Sequence, residues 1–461
     1  MRQYVRLALA TAATASLTTG LLVLAPVSAS AAPARHYDDF NGDGHRDIAY
    51  RHAYSGVVDS TGGWKGGAVV VVYGGARGLD TSRTQVVHQD SRGVPGVGEE
   101  DDQFGESLAS ADLNKDGYAD LVVGNPSEHV GDHEYRGSVT ILWGSATGLS
   151  GGTGLSVKSG AYGHFGRDVA IGDFTGDGSP DLAVLGGQEA WLYRGGFAES
   201  GTTGTVGKID KTGAGWYSTA GLAAGKVNGD GKADLVILGL QASGTDWNVR
   251  AWFLKGTSTG LSSGTTKTLA TGQNDFGTNA VIADFDKDGY GDIAVGEPDE
   301  SGGKGAVNVW YGTSSGPGTR SAKFTQATTG VSGTPEADDN FGYDLSAADS
   351  NGDGYADLVV GVPHEDVDGM EDQGTVHVFR GGSGGLSGSR SSVVAQSVTG
   401  GSRDHESFGH ALRLRDTNAD GRADLAIGAA SGGHVLPGAS GGPTAGGSYE
   451  LPDLGGSFLD D

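Results

Sequence analysis

Cysteine is absent from all 461 residues, so no disulfide framework holds this chain, and core packing, repeat closure or metal must do so instead. Methionine occurs only twice. Extended runs of Ala, Leu, Glu and Lys at helical spacing are also missing, which argues against a helical bundle or a compact α/β enzyme. Basic residues are scarce: 31 Lys and Arg against 57 Asp and Glu leave a formal net charge of −26, a balance that repels nucleic acid and anionic membrane surfaces. Long apolar stretches are confined to the N-terminus. There Leu7 to Ala25 follows Arg2 and Arg6 and precedes the small-residue site Ala29-Ser30-Ala31, which reads as an export signal over residues 1–31 rather than an anchor. No other segment is apolar enough to span a bilayer.

Glycine, by contrast, is abundant at 86 residues, as expected of many short strands joined by tight turns. Acidic clusters recur with it: DFNGDGHRD, DLNKDGYAD, DFTGDGSPD, KVNGDGKAD, DFDKDGYGD, DSNGDGYAD and DTNADGRAD begin at Asp39, Asp112, Asp173, Lys226, Asp284, Asp349 and Asp416. Seven copies, 53 to 73 positions apart, suit a four-stranded propeller blade with variable loops.

Each cluster places oxygens at positions 1, 3, 5 and 9 and a backbone carbonyl at position 7, a set able to wrap one hard cation, with glycine at position 6 allowing the sharp turn. Six copies are complete and are expected to hold Ca²⁺. Their donors are Asp39, Asn41, Asp43, His45 and Asp47; Asp112, Asn114, Asp116, Tyr118 and Asp120; Asp173, Thr175, Asp177, Ser179 and Asp181; Asp284, Asp286, Asp288, Tyr290 and Asp292; Asp349, Asn351, Asp353, Tyr355 and Asp357; and Asp416, Asn418, Asp420, Arg422 and Asp424. Mg²⁺ demands a tighter octahedron and keeps its waters. In the fourth copy Lys226 stands at the first ligand position. That loop is expected to be empty, with the ammonium pairing Asp230 or Asp234 in the ion's stead. An EF-hand is excluded because position 12, where that loop needs glutamate, is Tyr50, Val123, Val184, Val295, Val360 or Ile427 in the complete copies, and β-branched runs such as LVVG and IAVG follow each loop.

Phe-Gly precedes position 1 by eight residues at Phe104, Phe165, Phe276, Phe341 and Phe408, with Trp216 and Tyr217 near the equivalent place in the fourth copy. After the loop strand come GNP, GEP and GVP, then strands such as AVVVVYG, SVTILWG and TVHVFRG. On these residues the chain resembles the FG-GAP family, whose repeats form the propeller of integrin α subunits. The resemblance implies an all-β, seven-bladed propeller of four-stranded antiparallel blades, with calcium in the loop between the first and second strands. Residues 32–461 then form one domain with blades near 32–95, 96–157, 158–207, 208–270, 271–328, 329–398 and 399–461. The resemblance is confined to the repeats and does not extend to the integrin legs, transmembrane helix or tail. The first copy has no Phe-Gly of its own, and Phe458 near the end is expected to supply the missing start of the first blade.

In an up-and-down blade the metal loops lie on one face, and the opposite face receives Arg51–Gly66, Ser127–Gly137, Ser243–Asn248, His364–Gly374, Glu99–Gln103 and Arg403–Ser407. Recognition normally sits on such variable loops. Trp64, Tyr135 and Trp247 are the candidate ligand contacts, because exposed aromatics stack on sugars or anchor partners. No catalytic motif stands above chance: Gly-x-Ser-x-Gly matches at Ser150, Ser262, Ser383 and Ser440 fall in glycine-rich turns, not at a strand-to-helix elbow. The expected function is that of a secreted, extracellular or cell-surface calcium-binding module for adhesion or protein interaction, monomeric and non-catalytic. A glycan-binding lectin is the alternative and a polysaccharide lyase or hydrolase the third reading.

Overall fold

Alternation of β-branched and small residues, cut every few positions by glycine, favours short strands, and the computed structural model shows seven sheets in chain order, with longer strands of ten to twelve residues in blade 4. It describes residues 34–52, 66–156, 163–187, 189–209, 216–243, 246–271, 279–399, 403–451 and 458. The expected export signal and Trp64 lie outside these. Six sheets are four-stranded and antiparallel, each formed by consecutive strands. Strands are lettered A to D in chain order, A innermost. Blade 2 has Ser107–Ala111, Asp120–Asn125, Ser138–Trp143 and Ser150–Gly154; blades 3 to 7 repeat the plan, ending with Leu412–Arg415, Asp424–Ala429, Gly432–Leu436 and Tyr449–Leu451. One helical turn, Glu300–Gly303, is the sole α-helix among the described residues.

The β-branched runs that follow the acidic loops are the B strands. Asp120–Asn125, Asp181–Gly186, Asp292–Glu297, Asp357–Val362 and Asp424–Ala429 are buried at every residue, being covered on both faces by neighbouring blades. The Phe-Gly pairs are the wedges between blades. Phe104, Phe165, Phe341 and Phe408 are fully enclosed, while Gly105, Gly166, Gly342 and Gly409 all take positive φ between 87° and 97°, a region in which a Cβ is strained. Each pair docks on a glycine of the preceding blade, where a Cβ would meet the phenylalanine backbone: Gly67 on Phe104, Gly137 on Phe165, Gly305 on Phe341 and Gly374 on Phe408.

Blade 1 departs from the plan. Its sheet contains only Ile48–His52, Ala68–Val72 and Thr84–Val87, the B, C and D strands. The inner edge of Ile48–His52 is met from the other end of the chain, where Phe458 pairs antiparallel with Tyr50. Both rings are buried and meet edge-to-face with centroids 6.1 Å apart, in a cluster that also holds Ala411, Ala426, Val435 and Leu451 of blade 7. The join thus ties the first blade to the last and covers an edge that would otherwise template association. A second clasp lies nearby: the buried Asp38 carboxylate is 2.7 Å from Arg46 and 3.5 Å from Arg415 of blade 7, and both guanidiniums lie over the Tyr37 ring.

Phe458→Ala is expected to lower unfolding stability by about 3 to 5 kcal/mol, the usual cost of removing an enclosed phenylalanine. Denaturant unfolding reads this directly, and a change under about 0.5 kcal/mol would mean that the C-terminal segment does not close the ring.

Candidate functional site

Six acidic clusters form the A–B loop of a blade and the first leads directly into strand B of blade 1; the six complete clusters close by the same hydrogen bonds. In blade 2, Asp112 at position 1 accepts the N–H of Asp116 (3.0 Å) and of Gly117 (3.1 Å), and Asp116 at position 5 accepts the N–H of Tyr118 (3.0 Å). Asp39, Asp173, Asp284, Asp349 and Asp416 make the equivalent pair of bonds in their own loops. The turn needs left-handed backbone at positions 4 and 6. Position 6 is always glycine, with φ from 80° at Gly178 to 99° at Gly117. Position 4 is glycine in four loops, but Lys115, Lys287 and Ala419 adopt φ of 59° to 61° there.

Position 9 is the keystone. The carboxylates of Asp47, Asp120, Asp181, Asp234, Asp292, Asp357 and Asp424 are all buried. One oxygen of each accepts an N–H from position 2 or 3 of its own loop. The other accepts the N–H of the glycine that ends strand C: Gly74, Gly144, Gly195, Gly256, Gly312, Gly381 and Gly438, at 2.8 to 3.0 Å. That glycine allows no side chain in six blades. An added Cβ would sit 2.1 to 2.6 Å from the position 8 carbonyl at Gly74, Gly144, Gly256, Gly312, Gly381 and Gly438.

Burial is the main force pushing these carboxyls up, opposed by the backbone N–H bonds and reinforced by the carboxylates at positions 1 and 5. Asp47 is raised to about 8, Asp120 and Asp292 to about 7, and Asp181, Asp234, Asp357 and Asp424 move the same way. Desolvated anions crowded by other anions fit a bound cation. The fifth loop fits it best, because Asp rather than Asn or Thr stands at position 3: carboxylate oxygens of Asp284, Asp286 and Asp292 lie within 4.8 Å of one another. Asp286 accepts at Oδ2 from the guanidinium of Arg320, which stacks on Tyr311, while its Oδ1 is buried without a partner. Donors of this kind, hard oxygens around a flexible loop, suit calcium chemistry.

The fourth loop is built without that need. Its Asp234 accepts from Val227, Asn228 and Gly256 N–H and from the Asn228 side chain. The expected pairing of Lys226 does not occur. Lys226 is exposed, and Asp230 is instead approached by Lys232 at 3.5 Å and Lys255 at 3.6 Å. Burial raises the Asp230 carboxyl, but the Lys232 N–H and these two ammoniums outweigh it and hold the group below its ordinary value. The compensating charge comes from position 7 and the end of strand C, not from position 1.

Adjacent loops are also bonded to each other, a feature with no sequence signal beyond the spacing. The position 1 carbonyl accepts the position 8 N–H of the next loop in Asp39–Ala119, Asp173–Ala233, Lys226–Gly291, Asp284–Ala356 and Asp349–Ala423, at 2.8 to 3.3 Å. From blade 2 to blade 3 position 8 is Pro180, which has no N–H to give.

On the opposite face the expected recognition loops differ among themselves. Tyr135 is exposed, at 42% of its surface, and stands between His129 and His164 with ring centroids 5.4 and 5.9 Å away. The segment Ser243–Asn248 is not a long loop. Strands Asp234–Ser243 and Asp246–Thr257 pair up to Ser243–Asp246, so the backbone of Trp247 is part of a hairpin opposite Ala242. No span long and apolar enough to cross a membrane as a helix occurs among the described residues.

With the loops, wedges and blades in place, comparison with known proteins gives concordant matches. An FG-GAP repeat is matched at residues 104–142 and 341–379, and an FG-GAP-like repeat at 173–237 and 226–295. The chain is 33% identical over 153 residues to phosphatidylinositol-glycan-specific phospholipase D of Rattus norvegicus, covering 32% of this chain and 17% of that protein. It is 30% identical over 231 residues to integrin alpha-PS2 of Drosophila melanogaster, covering 46% of this chain and 16% of that one. The matched segments thus span about a sixth of these relatives' own length. Among solved structures, an Agrocybe aegerita lectin described as recognising non-reducing terminal N-acetylglucosamine aligns with a TM-score of 0.42 at 17% identity, over 76% of this chain and 80% of its own. Repeat matches that fall in blades 2 to 6 and the regular recurrence of the same loop in all seven identify the chain as a seven-bladed β-propeller that contains FG-GAP repeats.

Proposed function

We propose that the protein is a secreted binding module, held in shape by about six calcium ions on one face and engaging an extracellular protein with the other. The observation that carries the calcium half is the set of buried ninth-position carboxylates in the complete loops, each already bonded into the fold and each lacking, among the described residues, a cationic side chain at hydrogen-bonding distance. The residues that would hold the ion are positions 1, 3, 5 and 9 of the six complete loops, with the carbonyl of position 7. Calcium supplies the positive charge there. The chain's own part is to fix the carboxylates through backbone N–H bonds.

Extracellular calcium modules bind with dissociation constants of roughly 10⁻⁴ to 10⁻³ M, so about millimolar calcium adds on the order of 0.4 to 1.4 kcal/mol per site. Six such sites amount to a substantial share of a domain's net stability. The ions sit where the loops touch each other and away from the Ser127–Gly137 and His364–Gly374 loops, so they support recognition without taking part in it. No catalytic role is assigned, because the matches to a phospholipase D cover only a sixth of that protein.

The two roles of position 9 separate experimentally. Asp234→Ala should cost about 2 to 4 kcal/mol, through the buried N–H groups it leaves unpaired, equally with calcium or with chelator. Asp292→Ala should cost about 1 kcal/mol more in calcium than in chelator. Equal costs for Asp292→Ala in both conditions would count against a bound ion in that loop.

For the recognition face, a screen of extracellular proteins and glycans in the presence of calcium should return a protein ligand. Tyr135→Ala should weaken its binding by tenfold or more, as expected of an aromatic anchor, at unchanged melting temperature. Several saccharides bound between blades, indifferent to Tyr135→Ala, would replace this reading with a lectin.

A further inference from the structure

The face opposite the calcium loops holds its own cluster of potential metal donors, outside the FG-GAP loops. The chain entering blade 2 runs Glu99-Glu100-Asp101-Asp102-Gln103-Phe104, and the B–C loop of the same blade folds back to set His129 beside it. Single donor atoms of Glu99, Asp102 and His129 lie within 4.8 Å of one another. His129 Nδ1 is 3.4 Å from Glu99 Oε2. Two ligands on one tetrahedral zinc ion, each about 2.0 to 2.1 Å from the metal, are separated by roughly 3.4 Å.

Burial points the same way. Asp102 is only 6% exposed, its Oδ2 accepts the Glu99 N–H at 2.8 Å, and its Oδ1 is enclosed with no hydrogen-bond partner. His129 Nδ1 is likewise enclosed and makes no hydrogen bond. An orphaned carboxylate oxygen and an orphaned imidazole nitrogen facing one carboxylate are costly unless an ion joins them. Around them Gln89 and Asn125 both donate to Glu128 Oε2, and Asn125 accepts from the Gln103 N–H, so the loop that carries His129 is fixed by its neighbours.

Two other blades repeat the entry segment and solve the charge differently. Before blade 6, the Glu336 N–H donates to Asp339 at 2.5 Å, the counterpart of the Glu99–Asp102 bond; burial and the Glu336 and Asp366 carboxylates raise the Asp339 carboxyl, and the Lys304 ammonium offsets them only in part. Before blade 7, the corresponding pair is Arg403 and Glu406, an ion pair at 3.7 Å. Among the described residues, no lysine or arginine pairs with Glu99 or Asp102; the imidazole of His129 is their neighbour.

We infer that Glu99, Asp102 and His129 form a binding site for a divalent transition metal ion, Zn²⁺ by donor type, with solvent or a ligand group completing the coordination. One nitrogen and two carboxylates in a compact set favour zinc over calcium, which prefers six or more oxygens. The site lies beside Tyr135, whose ring is tilted against that of His129 with centroids 5.4 Å apart, so a metal there would sit within the recognition face and offer an open position to an anionic group of a partner.

The test is calorimetric zinc titration of the full chain in excess calcium, which keeps the A–B loops filled, for the wild type, His129→Ala, Asp102→Asn and His129→Arg. The wild type should bind zinc at this site with a rise in melting temperature. His129→Ala should weaken that binding by at least about 100-fold, more than the typical loss of an outer-shell partner, and Asp102→Asn should weaken it too. His129→Arg, which supplies the fixed cation of the other two blades, should abolish zinc binding without destabilising the protein. A wild type that binds no zinc overturns the inference, as does wild-type zinc stoichiometry and affinity in His129→Ala and His129→Arg; either result leaves the calcium reading untouched.

Discussion

Everything on the metal-loop face depends on one interaction, the buried aspartate at the end of each acidic loop. It begins strand B, takes an N–H from the start of its own loop and another from the glycine at the end of strand C. One side chain therefore locks three pieces of backbone, in every blade, with both oxygens engaged. The arrangement has a cost: an anion is held away from water next to further anions, and burial pushes it well above the carboxylate range. A cation at the mouth of the loop, as proposed, would offset that cost. Blade 4 reaches the same geometry with two lysines near Asp230 and an asparagine amide on Asp234, which is why the loop keeps its shape although its first ligand is lysine.

The loops also link the blades. Because position 1 of one loop bonds position 8 of the next, an ion that stiffens one loop stiffens its neighbour's anchor. The chain of contacts is interrupted where Pro180 has no N–H, and the glycine contact there is relaxed as well, since a Cβ added at Gly195 would lie 3.9 Å from the Pro180 carbonyl. The seventh-to-first junction uses different means, the Tyr50–Phe458 pairing and the Asp38 clasp on Arg46 and Arg415. Ring closure therefore rests on apolar burial and a buried ion pair, while the junctions entering blades 2, 3, 6 and 7 carry wedged Phe-Gly pairs and five junctions carry loop-to-loop bonds.

Much of this was legible in the sequence because the physics repeats. A pattern of carboxylates with glycine at position 6 has one geometric solution, and a β-branched run that follows it has one place to go. Phe458 could be matched to the missing start of blade 1 because a lone aromatic stood where a strand was short. What the sequence hid was set by contacts between repeats: the position 1 to position 8 bonds, the role of Lys232 and Lys255 in place of Lys226, and the hairpin that absorbs the Trp247 backbone. The glycine ending strand C was visible in every AVVVVYG-type strand, yet its reason, a carbonyl 2.1 Å from where its Cβ would be in blade 2, belongs to the folded blade alone. Asp102 and His129 are separated by a whole hairpin and carry no spacing motif, so their meeting had no local signal.

The central claim is that calcium offsets the charge of these loops and so stabilises the ring. The most direct measurement is calcium titration of chelator-stripped protein with melting temperature followed in parallel. The account predicts about six ions bound per chain, with the fourth loop silent, and a melting temperature that climbs as they bind. A melting temperature unchanged between chelator and millimolar calcium would contradict it.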